Sequence, residues 1–112
     1  MAAIANLTID QGASFSSDVT VKDANGNAFN LTGYTAAAKM AKGYQSTKTR
    51  TSFTTTITTP TSGVVTLSLT PAQTTALDAE RYVYDLEITL TSTGAVTRVI
   101  EGIITVRPQV TT

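Results

Sequence analysis

Hydrophobic and polar residues alternate with a period of two over residues 82–106, the longest such stretch in the chain. A period of two fits a half-buried β-strand and does not fit a helix. Ser92, Thr93 and Gly94 interrupt the alternation, so the stretch is predicted to form a hairpin of two long strands, against which the other strands bury. The apolar positions are Tyr82, Tyr84, Leu86, Ile88 and Leu90 in the first strand and Val96, Ile100, Ile104 and Val106 in the second.

Shorter alternating segments precede this hairpin and are separated by turn residues. Asn25-Gly26 is the strongest turn signal, because both residues tolerate the positive φ of a tight turn. Residues 34–41 alternate as a strand does, but their alanines also allow a short helix, and we favour the strand because its neighbours are strand-like. The other predicted strands contain Leu7 and Ile9; Phe15, Val19 and Val21; Phe53, Thr55 and Ile57; and Val65, Leu67 and Leu69.

A helix start is recognisable at Thr70-Pro71-Ala72-Gln73, where a capping threonine, a proline and a glutamine have the spacing of a capping box. The pattern predicts one short helical turn near residues 71–77. Tyr82 then lies at a strand start just after a corner, as in the tyrosine corner of immunoglobulin-like domains. About seven strands and one helical turn favour an antiparallel β-sandwich.

The chain length is typical of one domain, so residues 1–112 are predicted to share a single core. Pro108 cannot donate a hydrogen bond to a sheet, so the sheet is predicted to end there. Residues 1–6 and 108–112 are therefore predicted to be flexible or partner-bound tails, suited to adding a strand to a partner's sheet.

The composition limits the classes of partner. Only 14% of residues are charged, and eight Lys and Arg balance eight Asp and Glu. Without a net field, neither nucleic acid nor an anionic membrane is an expected partner. The 24 threonines make the predicted surface hydroxylic rather than ionic, and the absence of cysteine permits folding in a reducing compartment. No secretory signal pattern opens the sequence, so export by a signal peptide is not expected.

Catalytic groups are scarce. The chain contains no histidine, which removes the common nucleophilic triads and the commonest transition-metal ligand. Asp85 and Glu87 share a strand face at a spacing that a glycosidase or a calcium site could use, but a solvated outer face explains them better. Asp23, Asn25 and Asn27 lack the further acidic ligand of a calcium loop and are better explained as a turn. We therefore expect no enzyme activity, no metal, no cofactor and no small-molecule substrate.

Residues 42–52 are polar and lack periodicity, which predicts an exposed loop. Positive charge concentrates there, and acidic residues predominate at residues 78–87. Such clusters are usually solvated faces, but the basic loop of one copy could instead meet the acidic face of a neighbour. Tyr44 adds an amphipathic ring to this loop. The predicted partner-binding residues are Lys42, Tyr44, Lys48 and Arg50.

Three stretches together resemble small structural proteins of tailed bacteriophages, especially those of cyanobacteria and other marine hosts. The first is VKDANGNAFNLTGYTAAAKM, the second GVVTLSLTPAQTTALDAERYVYDLEIT, and the third GAVTRVIEGIITVRPQVT. They occur in the family's order and cover roughly residues 15–111.

The resemblance implies an immunoglobulin-like β-sandwich similar to the N-terminal domain of phage baseplate upper proteins, which docks receptor-binding or fibre components onto a tail. The expected function is that of a non-enzymatic virion protein, assembled in the host cytoplasm, that binds neighbouring virion proteins and copies of itself. Longer members of the family carry a receptor-binding region after the position of Pro108, and its absence from this sequence favours a connecting or decorating role over direct host recognition. Capsid decoration is the first alternative, and a carbohydrate-binding module, for which only Tyr44 is a clear stacking platform, is the second.

Overall fold

Two β-sheets pack face to face in the structure, a computed structural model that describes residues 3–45, 47 and 49–111. The larger sheet has the strand order β1–β9–β8–β4–β5, with β2 also paired to β9, and the smaller sheet has the order β3–β7–β6. The elements are β1 (Ala3–Ile4), β2 (Leu7–Asp10), β3 (Phe15–Thr20), β4 (Tyr34–Ala41), β5 (Thr51–Ser52), β6 (Thr54–Thr56), β7 (Val64–Leu69), α1 (Pro71–Thr75), β8 (Arg81–Leu90) and β9 (Val96–Arg107), with a 3₁₀ turn at Pro60–Ser62.

Seven of these strands, within the described residues, are three residues or longer, and their distribution is that of an immunoglobulin-like domain. In chain order the seven are β2, β3, β4, β6, β7, β8 and β9. The second, fourth and fifth of them (β3, β6 and β7) form the smaller sheet, and the third, sixth and seventh (β4, β8 and β9) lie together in the larger sheet. The first of the seven, β2, joins the larger sheet. The predicted all-β immunoglobulin-like sandwich with one short helical turn is therefore confirmed.

The hairpin of β8 and β9 forms the centre of the larger sheet. Tyr84, Leu86 and Ile88 are buried, as the period of two predicts, and they pack against the buried β7 residues Val65 and Leu67. The strand prediction for residues 34–41 is also confirmed, since β4 pairs with β8 from Tyr34 opposite Leu90 to Ala41 opposite Val83.

The corner before β8 has the predicted tyrosine geometry. Thr70 accepts a hydrogen bond from the Gln73 amide, and the Gln73 side chain accepts one from the Thr70 amide, which completes the capping box of α1. The Tyr82 hydroxyl accepts a hydrogen bond from the Asp78 amide at 2.9 Å and donates one to the Asp78 carbonyl at 3.2 Å. The ring of Tyr82 thus fixes the path by which the chain leaves the helix and enters β8.

The segment around Phe53 passes from one sheet to the other. Thr51 and Ser52 pair with β4 in the larger sheet, so the loop that was predicted for residues 42–52 ends at residue 50. Residues 54–56 pair with β7 in the smaller sheet. Between them, the Phe53 amide donates to the Ala38 carbonyl at 3.0 Å, and its buried ring lies 6.0 Å from that of Phe15.

A β-bulge changes the outward face of β9. Leu86 pairs with Ile100 but Glu87 pairs with Arg98, so Val99 is an extra residue that has no opposite partner. Because of this extra residue, the inward and outward positions of β9 are exchanged between Val96 and Arg98, relative to the alternation that holds from Ile100 onward. Val96, which the sequence pattern places with the inward residues, is therefore on the outer face and 58% exposed.

The described part of the first six residues is not a free tail, which corrects the prediction for 1–6. Ala3 and Ile4 pair in parallel with Ile100 and Glu101 of β9, and β2 continues the parallel pairing from Leu7 opposite Ile104 to Asp10 opposite Arg107. The parallel direction also departs from the antiparallel pairing expected throughout. The first strands thus occupy the edge of β9 that β8 leaves open, where their backbone groups are paired.

The described residues after Pro108 are exposed, and Val110 is 95% exposed. The Gln109 amide donates to the Gln11 side-chain oxygen at 3.1 Å, which holds the beginning of this segment to the turn after β2. Met1, Ala2 and Thr112 lie outside the described residues. No helix among those that are described is long and apolar enough to cross a membrane.

Candidate interaction surface

The loop of residues 42–50 is organised by Arg50. Its guanidinium donates to the carbonyl of Gln45 at 2.9 Å, to that of Tyr44 at 2.9 Å and to that of Gly43 at 3.4 Å. A planar guanidinium with several fixed donors suits such a cluster of carbonyls. Arg50, predicted to bind a partner, therefore has a structural role within its own loop, and its role as a partner contact stays a prediction.

Lys42 joins the loop to the corner that precedes β8. Its ammonium lies 2.5 Å from an Asp78 carboxylate oxygen and 2.8 Å from a Glu80 carboxylate oxygen. The hydrogen bonds to Asp78 and then to Glu80 raise the pKa of Lys42 above its usual value. Two of the acidic residues that were expected to attract the basic loop of a neighbouring copy, Asp78 and Glu80, are thus paired with this loop in the same chain.

Tyr44 is exposed at the edge of a groove. Its side chain is 64% exposed and borders a shallow cavity of about 290 Å³ over the outer sides of β4 and β8. Arg50 fixes the backbone on which this ring is mounted. Lys48, the fourth predicted contact, lies outside the described residues. The groove floor and walls include Ala37, Lys39, Ala41, Val83, Asp85 and Glu87.

The groove is one end of a larger surface, the outer face of the larger sheet. Ala41, Val83 and Ile103 lie side by side on β4, β8 and β9, and we call these three residues the apolar row. Ile103 is 44% exposed, and Ile4 on the neighbouring β1 is 77% exposed. Of the five large hydrophobic residues that are exposed in the described part of the chain, Ile4, Val96 and Ile103 lie on this sheet, Tyr44 borders it, and Val110 is in the tail.

The sequence interpretation missed this surface. Val83 stands among Asp85, Glu87 and Thr89 on the polar side of the alternation, and Ile103 stands between Gly102 and the inward Ile104. Two apolar residues at outward positions of adjacent strands were the available signal. Only the strand register shows that they are neighbours.

Charged residues of both signs flank the apolar row. Lys39, Asp85 and Glu101 form the next row across the same three strands. Asp85 also pairs with the Nε of Arg98 at 3.2 Å. Asp85 and Glu87 therefore face outward on an open sheet, as expected for a solvated face, and no group of three potential metal-ligating side chains occurs among the residues described.

The other acidic pattern is a turn, as predicted. The Asp23 carboxylate accepts hydrogen bonds from the amides of Asn25 at 2.9 Å and Asn27 at 3.0 Å. This is the local hydrogen bonding by which an aspartate stabilises a turn. The carboxylate is oriented by the chain's own amides.

Tyr84 is a buried titratable group on the central strand β8. Its side chain is 2% exposed and points into the core, and its hydroxyl donates to the carbonyl of Ala5. Burial raises the pKa of Tyr84 to about 12. The hydroxyl thus joins the central strand to the first residues of the sheet.

Comparisons with known proteins give no family assignment. No family model matches the chain, and no curated protein matches it. Among solved structures, the filamin domain of Lin-41 is similar with 18% sequence identity and a TM-score of 0.43, over 89% of this chain and 82% of that one. The immunoglobulin-like arrangement follows from the strand pairing of this chain.

Proposed function

We propose that this protein is a non-enzymatic structural component of a tailed-phage virion, a tail, baseplate or fibre-connecting module that binds neighbouring virion proteins. The resemblance of three stretches of the chain to phage structural proteins supports this function. The outer face of the larger sheet and Tyr44 would form the binding surface. The corresponding location is the virion, assembled in the host cytoplasm.

The observation that carries the proposal is that the family-like stretches supply the residues on which the fold depends. In LTGYT, Leu31 is 1% exposed, Gly33 has a φ of +83°, and the Tyr34 ring meets that of Phe29 edge-on at 5.4 Å. Residues at such positions are needed to keep a scaffold rigid. These positions support a resemblance to the family in fold as well as in amino-acid sequence.

The second and third stretches behave in the same way. The second contains the capping box of α1 and the tyrosine corner at Tyr82. The third contains Gly102, where a Cβ atom would lie 2.3 Å from the carbonyl oxygen of Ala5. A chain that shares these features and lacks histidine and cysteine is suited to binding through surfaces rather than to nucleophilic catalysis.

Location in the particle is the direct test. Virions that carry this gene should contain the protein by mass spectrometry, and gold-labelled antibody should mark the tail or baseplate in electron micrographs. Label distributed over the head would instead favour the alternative of capsid decoration. Purified particles without the protein would contradict both virion assignments.

The contact role of Tyr44 has its own test. Tyr44→Ala removes the exposed ring and leaves the Arg50 contacts to the loop carbonyls in place, whereas Arg50→Ala also loosens the loop. If the ring binds a virion neighbour, Tyr44→Ala should lower incorporation into particles. Val110→Ala, a change at another exposed hydrophobic residue, is the control and should incorporate normally.

A carbohydrate-binding module is the second candidate. The observation that favours it is the exposed Tyr44 ring at the edge of a groove that also contains Asp85 and Glu87, since aromatic rings stack on apolar ligand faces while carboxylates accept hydrogen bonds. A glycan array would show binding that Tyr44→Ala abolishes. An array without hits would remove this candidate.

A further inference from the structure

We propose that the outer face of the larger sheet is a two-fold interface between two copies of this chain. The inference deepens the proposed function and rests on it in one respect, that the protein acts through protein contacts. The two outer faces of the sandwich differ. The smaller sheet presents mostly hydroxyls, one acid and the half-buried Val64, with Ser16, Asp18 and Thr56 among them, whereas the larger sheet presents the exposed Ile4 and Ile103 together with Val83.

Exposed apolar residues that cluster on one face of a domain mark an interaction surface more reliably than scattered ones. Val83 occupies the middle of the row, with Ala41 in register on β4 and Ile103 in register on β9. Because the side chains of alternate residues project to the same side of a sheet, these three form a continuous strip across three strands. Ala41 is already covered within its own chain, since it is 4% exposed, so contact with a matching strip would remove the half-buried Val83 and the exposed Ile103 from water.

The charges around the strip favour a copy of this chain as the partner. Four cations and four acids lie on this face at positions outward from the strands: Lys39, Arg81, Arg98 and Arg107, and Asp10, Asp85, Glu87 and Glu101. A partner of strongly acidic or basic character would face like charges at half of these positions. A surface with both signs in equal number can instead complement itself.

The strand register determines which two-fold arrangement makes this surface complementary to itself. Arg81 and Asp85 lie two residues before and two residues after Val83 on β8, on the same side of the sheet. A two-fold axis that crosses the strands at Val83 places the apolar row against itself. It also brings Arg81 of each copy opposite Asp85 of the other, which is the reciprocal pairing that an isologous interface requires.

The first experiment measures the oligomeric state of the purified full chain by light scattering over a range of concentrations. A dimer is expected. Ile103→Asp should raise its dissociation constant more than about tenfold, because the substitution places a carboxylate where an apolar side chain would be buried in the interface. Val110→Asp makes the same kind of change at a residue that is 95% exposed in the tail, and it should leave the dimer unchanged. A monomer at every concentration overturns the proposal.

The second experiment tests the pairing. Arg81→Asp and Asp85→Arg, each made together with Arg98→Gln so that the cation that pairs with Asp85 in its own chain is absent throughout, should each weaken the dimer, and the double exchange should recover it because the opposite charges are exchanged. Lys22→Asp, a change of similar size in the exposed turn after β3, should have no effect. Failure of the double variant to recover binding while both single variants fold normally, as judged by their circular dichroism and melting curves, contradicts the axis at Val83.

The third experiment uses the absence of native cysteine. Val83→Cys lies on the axis, where the two thiols project toward each other across the interface, so mild oxidation should link two copies rapidly through a disulfide. Thr56→Cys on the smaller sheet should be linked slowly, and equal rates would overturn the proposal. These results depend only on purified protein, whereas the virion role is tested on particles, so the two proposals can fail separately.

Discussion

The hydroxyl of Tyr84 donates a hydrogen bond to the carbonyl of Ala5, a residue 79 positions earlier in the chain. The ring lies on the inward side of β8, and Gly102 is the residue opposite Tyr84 on β9. Ala5 follows β1 on the far side of β9. A glycine at 102 leaves room for Tyr84 to reach across β9, so one side chain ties β8 to the segment between β1 and β2.

Tyr84→Phe should lower the free energy of unfolding by about 1 kcal/mol at neutral pH, since it deletes one partly buried hydrogen bond and keeps the ring. Urea denaturation measures this change. Tyr34→Phe is the matched control, because its ring contact with Phe29 does not involve the hydroxyl.

The same variant gives a pH test. The pKa of Tyr84 in the folded protein is raised to about 12, above its unfolded value, so the folded state retains the proton longer. This contribution to stability is complete below about pH 10 and is lost as the pH rises to about 12. The wild type should lose more stability than Tyr84→Phe over that interval, and parallel losses would contradict the assignment.

Gly102→Ala should destabilise the protein by about 1 to 3 kcal/mol, the usual cost of forcing an extra atom into a packed site. A Cβ at this position would lie 2.3 Å from the Ala5 carbonyl oxygen and would push the segment between β1 and β2 off the edge of β9. Thr105→Ala, an exposed position on the same strand, is the control for thermal unfolding. Hydrogen exchange at the Ala5 amide should accelerate in Gly102→Ala alone.

Thr74→Val should cost about 1 to 3 kcal/mol, because it leaves a backbone donor without its partner. The Thr74 hydroxyl accepts from the Gly12 amide at 3.1 Å and donates to the Ala13 carbonyl at 2.9 Å, which ties α1 to the turn between β2 and β3. Thr75→Val in the same helix affects an exposed hydroxyl that bonds only locally to the Pro71 carbonyl. Chemical denaturation should show a small loss for Thr75→Val, and equal losses would contradict this role.

Arg50→Gln should make the loop of residues 42–50 easier to cleave with little change in global stability. The guanidinium supports the carbonyls of Gly43, Tyr44 and Gln45, so its loss frees the backbone on which the Tyr44 ring is mounted. Chymotrypsin cleavage after Tyr44 is the measurement. Arg98→Gln removes a cation that pairs with Asp85 on the sheet and should leave the cleavage rate unchanged.

The parts of the fold that sequence could predict are those set by local periodicity and local hydrogen bonding. The alternation of Tyr84, Leu86 and Ile88 determines which face of β8 is buried. The capping box at Thr70 is a contact within four residues, and the corner at Tyr82 closes onto Asp78, also four residues away. Each of these features depends on residues that are close together in the sequence.

The features that were missed depend on contacts between distant segments. The bulge at Val99 is visible only in the pairing of β8 with β9, and it moves Val96 to the outer face. The parallel pairing of Ala3 with Ile100 joins the two ends of the sequence. Lys42 was predicted to bind a partner because its charge is evident in the sequence, but the acids that pair with it, Asp78 and Glu80, follow more than thirty residues later.

The parallel ladder between the first strands and β9 has a mechanical consequence. Ala3 lies beside Ile100 and Asp10 beside Arg107, so the two ends of the polypeptide leave opposite poles of the larger sheet. Tension applied at those ends pulls β2 and β9 lengthwise past each other, and their hydrogen bonds must yield together instead of one by one. A string of such domains under load would stretch its connections before it opened its folded units.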